Sequence, residues 1–96
     1  MKKGNQYKIT LESLDSQNEQ ENGLQQICFE FENHDDLFKI IEMAKSKNIF
    51  DNENQATEFA LGLKLFTEVV LKNKENPLFE DLKPAIGAFM QKLKKI

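Results

Sequence analysis

The chain has no arginine. All thirteen of its basic residues are lysine, set against sixteen acidic residues for a net charge of −3. Arginine supplies the planar fork that grips phosphates and guanine edges in pairs, so an acidic, arginine-free chain is a poor nucleic-acid binder. Cysteine is nearly missing too. A single residue, Cys28, excludes a framework of internal disulfides and fits a reducing compartment. The opening MKKGNQYKIT has two lysines but no apolar segment behind them, so no secretory leader is expected. No stretch approaches the ~18 apolar residues that span a bilayer, and a cytoplasmic protein without a membrane role is expected. Four glycines, none in a phosphate-loop pattern, leave nucleotide binding without support.

What is present is enough for one domain. Ninety-six residues, 40% hydrophobic and 30% charged, have the balance of a globular chain and are too few for two cores. Residues 6–14 alternate, with Tyr7, Ile9 and Leu11 on one side and Lys8, Thr10 and Glu12 on the other. Residues 25–32 repeat the pattern with Ile27, Phe29 and Phe31 inward. Period-two alternation of this kind marks half-buried strands, and two sequential strands most simply pair antiparallel. The polar DSQNEQENG between them reads as a long hairpin loop.

Three helices are expected after the hairpin. The first covers about 34–47, with Asn33 as N-cap and Asp35 and Asp36 near its positive end. Leu37, Ile40, Ile41 and Ala44 form its apolar face, and Asn48 is placed to end it in the left-handed region. The second covers about 52–75 and is the longest and central one, capped by Asp51. Its residues Ala56, Phe59, Ala60, Leu63, Phe66, Val70 and Leu71 fall on one broad arc, which Gly62 and Val69 extend. An arc that wide calls for packing from two directions, the hairpin and the other helices. Pro77 ends this helix at Asn76 and suits a first helical position. The third helix covers about 77–95 and is broken or kinked near Pro84, with Leu78, Phe79, Leu82, Ile86, Phe89, Met90 and Leu93 on its inner face. The fold expected is α+β, ββααα, in a single domain.

The segments ENHDDLF at Glu32–Phe38, GLKLF at Gly62–Phe66 and NPLF at Asn76–Phe79, with YKITLESL near the start, resemble the bacterial domain-of-unknown-function family 3861. The resemblance spans nearly the whole chain except 15–23. It implies a ββααα domain of bacterial origin and brings no activity, cofactor or site residue with it.

Candidate chemistry is sparse. Cys28 and the only histidine, His34, are six residues apart, and at ~3.3 Å per extended residue they lie beyond hydrogen-bond reach. A simple strand cysteine is the better reading. His34, Asp35 and Asp36 suggest a metal cluster, but consecutive helical residues point ~100° apart and do not converge on one ion. Mid-helix Gly62 suggests another element crossing close to the backbone. Lys83, Lys92, Lys94 and Lys95 make the C-terminal end locally basic, as suits a helix terminus. No catalytic, metal or cofactor site is expected.

Leu61 and Leu65 lie outside the apolar arc, beside Glu58, Glu68 and Lys72. The interface expected from them comprises Leu61, Leu65, Glu58 and Lys72. A lone hairpin also has two open edges, and pairing edges across a two-fold axis would make a four-stranded sheet. A self-associating, non-enzymatic interaction module, a homodimer, is therefore the first functional reading. A small-ligand or peptide-binding domain with a phenylalanine-rich cleft between hairpin and C-terminal helix is the second. An enzyme with a site assembled from distant carboxylates is the third.

Overall fold

A computed structural model describes residues 4–14 and 25–96. The expected hairpin loop at 15–23 lies outside the described residues. The chain divides into two units, Met1–Asp35 and Asp36–Ile96.

In the first unit, strands β1 (Asn5–Glu12) and β2 (Gln26–Asn33) pair antiparallel. The register sets Tyr7 opposite Phe31, Ile9 opposite Phe29 and Leu11 opposite Ile27, so the alternation read from the sequence assembles one apolar face. Tyr7 and Phe31 stack with ring centres 5.5 Å apart. The other face carries Lys8 opposite Glu30 and Thr10 opposite Cys28.

The exit from β2 departs from expectation. Asn33 is fully buried and still paired in the sheet with Asn5. Its Oδ1 accepts the Asp35 amide at 3.0 Å, closing a tight turn. Asn5 Nδ2 and the Tyr7 hydroxyl both donate to the Asp35 carbonyl, at 3.1 and 2.9 Å. Asn33 thus ends β2 and caps no helix.

In the second unit, helix α1 (Leu37–Ser46) is capped by Asp36, whose side chain accepts from the Lys39 amide. Asp35 and Asp36 therefore precede the helix and do not sit in its first turn. Asn48 has φ 53°, the left-handed residue that stops the chain after α1. Helix α2 (Glu53–Lys72) is the longest, and Asn52, not Asp51, caps it by accepting from the Asn54 and Gln55 amides at 2.7 and 3.3 Å. It ends at Lys72, short of the expected residue 75, where the Asn73 side chain donates back to the Val69 carbonyl at 2.8 Å.

A single 3₁₀ turn, Pro77–Phe79, follows, with Pro77 at its start and Asn76 accepting the Leu78 amide. Helix α3 (Leu82–Lys94) is separate from that turn. The break falls at Glu80 and Asp81, ahead of Pro84. As the third residue of α3, Pro84 lacks an amide that would have had no partner within the helix, so it causes no kink.

The core of this unit is small. Ala44, Ala56 and Ala60 pack together, with Ile40, Ile41 and Phe50 against them. Buried alanines let α1 and α2 approach closely. Around this contact the rings of Phe50 and Phe59 lie 5.2 Å apart, and Phe59 meets Phe89 of α3 edge-on at 6.2 Å. Phe66 meets Phe79 in the same way at 6.5 Å.

Candidate functional site

Two features of this fold offer something to another molecule. One is the open edge of β1. The Ser13 amide donates to the Gln25 carbonyl at 2.9 Å, one step beyond the last ladder pair. In an antiparallel ladder, residues exchanging bonds alternate with residues facing outward. The odd-numbered residues of β1 therefore bond to β2, while Gln6, Lys8, Thr10 and Glu12 turn their amides and carbonyls outward. Among the described residues no strand lies on that side, since the sheet has two strands only. The apolar face beside this edge is open as well: Leu11 is 65% exposed, Ile27 58% and Phe29 46%.

The second feature is a cleft of about 340 Å³ among the three helices. Ile40 and Met43 of α1, Phe59 and Leu63 of α2, and Met90 and Leu93 of α3 form its apolar walls. Three lysines, one from the end of α1 and one each from α2 and α3, complete it: Lys47, Lys64 and Lys94. Among the described residues, no acidic one lines it. Lys47 Nζ donates to the backbone carbonyl of Ile96 at 2.8 Å, tying the chain's last described residue to α1.

The residues singled out from sequence fall differently. Leu61 and Leu65 are half-buried, and Glu68 beside them is buried, while Glu58 and Lys72 are exposed. The open side of α2 is instead the one bearing Gly62, Phe66 and Val69, the last two about half exposed at 46% and 50%. No atom lies within 4 Å of a Cβ built on Gly62, so among the described residues no element crosses there. The close crossing expected at that glycine is not found among the described residues. Phe66 keeps an inner partner in Phe79, whereas periodicity placed Val69 on the same arc because it cannot tell which part of a wide arc the neighbours cover.

Cys28 is exposed, with the Thr10 hydroxyl 3.5 Å from its sulfur. His34 is exposed in the turn after β2. Among the described residues, no three or more His, Cys, Asp or Glu side chains cluster so as to hold a metal ion. No described helix is long and apolar enough to cross a membrane. The three lysines of the cleft were the signal that sequence reading missed, because positions 47, 64 and 94 share no local motif.

Among curated proteins none matches the chain. A crystal structure of a protein of unknown function from Pectobacterium atrosepticum is similar to it, with 38% identity and a TM-score of 0.84. The alignment covers 98% of this chain and 100% of that one. The model of a family described as a domain of unknown function with solved structure, DUF3861, matches residues 5–95. With nearly its whole length matched, the chain belongs to the DUF3861 family.

Proposed function

We propose that this protein is a non-enzymatic interaction module that self-associates through the edge of β1. The observation that carries the reading is the open ladder of Gln6, Lys8, Thr10 and Glu12 beside an exposed apolar face. A two-stranded sheet is marginal in water and leaves edge groups unpaired. A second copy, related by a two-fold axis, supplies the missing strand and makes four strands of two.

Charge selects the register. Outward-bonding residues must face each other, so the axis passes through β1 with even-numbered residues opposed. Centring it on Thr10 sets Lys8 against Glu12 of the second copy, and by symmetry Glu12 against Lys8. Ile9 then meets the copy's Leu11, which continues the apolar face from one hairpin to the other. Centring it on Lys8 would oppose two lysines. The edge of β2 is less suitable, because its outward residues Gln26, Cys28, Glu30 and Glu32 include two acids and no base. Opposite charges across strands are each worth about 0.2–1 kcal/mol, and like charges cost similar amounts.

The half-buried state of Leu61 and Leu65 favours the strand edge over the helical route that those leucines suggested. Light scattering during size exclusion tests the proposal. A species of twice the 11.2 kDa chain mass is expected at ~100 µM, a concentration at which weak dimers persist. A chain that stays monomeric there refutes it.

A further inference from the structure

We draw no further inference here: the strongest candidate, the apolar cleft among α1, α2 and α3, carries none, because Lys47 Nζ on its rim is already bonded to the Ile96 carbonyl and nothing in the structure shows what covers it.

Discussion

Thr10 and Cys28 face each other across the hairpin, with the hydroxyl 3.5 Å from the sulfur. They form a pair that does not exchange backbone bonds, the closer of the two kinds of antiparallel pair, with Cα atoms ~4.5 Å apart. That spacing falls within disulfide range. Thr10→Cys alone should therefore form an internal disulfide with Cys28 on oxidation. Closing the loop between the strands should stabilise the oxidised form by up to ~3 kcal/mol over the reduced form. Mass spectrometry with and without reductant, followed by thermal melts, reads both effects. A free thiol pair under oxidising conditions would show that the hairpin register is wrong.

Glu12 is the cleanest place to perturb the proposed dimer. Within its own hairpin it faces the neutral Gln26, so Glu12→Lys breaks no internal charge pair. Across the two-fold axis it converts both Lys8–Glu12 attractions into repulsions. The combined effect is about 1–3 kcal/mol, enough to weaken association by roughly ten- to a hundredfold. Adding Lys8→Glu should restore the dimer once Glu30→Lys keeps the Lys8–Glu30 pairing opposite in sign. Sedimentation equilibrium on the three proteins checks this sequence of loss and recovery.

Gly62 stands in open space in the middle of α2. Glycine there costs ~1 kcal/mol relative to alanine, and no described atom opposes an added methyl. Gly62→Ala should raise stability by about 0.5–1 kcal/mol in urea unfolding, with an unchanged slope. Loss of stability would mean that another element does cover this face.

The pair Leu61 and Leu65 should behave as packing residues. Leu61→Asp with Leu65→Asp puts two charges on a half-buried face beside buried Glu68. Unfolding stability should fall by at least ~2 kcal/mol. Were these leucines the interface, the same change would leave stability intact and only halve the mass.

Much of the architecture was legible before the structure. Alternation in 6–14 and 25–32 predicted both strands and which side of each is apolar, because a period of two sets alternate residues on opposite faces; the strands run Asn5–Glu12 and Gln26–Asn33. Helix ends were harder. Asn33, Asp35 and Asp36 are all able caps within four residues, and composition does not rank them. The sheet decides, since Asn33 is held opposite Asn5 and only Asp36 is left at the start of α1. The same ambiguity moved the cap of α2 from Asp51 to Asn52. Pro84 looked like a breaker because interior proline usually is, yet a first-turn proline forfeits no bond. The cleft was illegible for another reason. Its lysines, from three helices, come together only through tertiary packing. The β1 edge lay between these cases, visible as an unpaired strand but without the bonding parity that selects its partner residues.

The central claim is that two copies meet at β1 with Thr10 on the axis. Outward-bonded antiparallel pairs hold their Cα atoms ~5.5 Å apart, close to the preferred disulfide span. The most direct measurement is therefore oxidation of Thr10→Cys in a Cys28→Ser background, read on a non-reducing gel beside Lys8→Cys in the same background. A disulfide-linked dimer from Thr10→Cys, with little from Lys8→Cys, is the predicted result. Monomer from both, or a stronger band from Lys8→Cys, would contradict it.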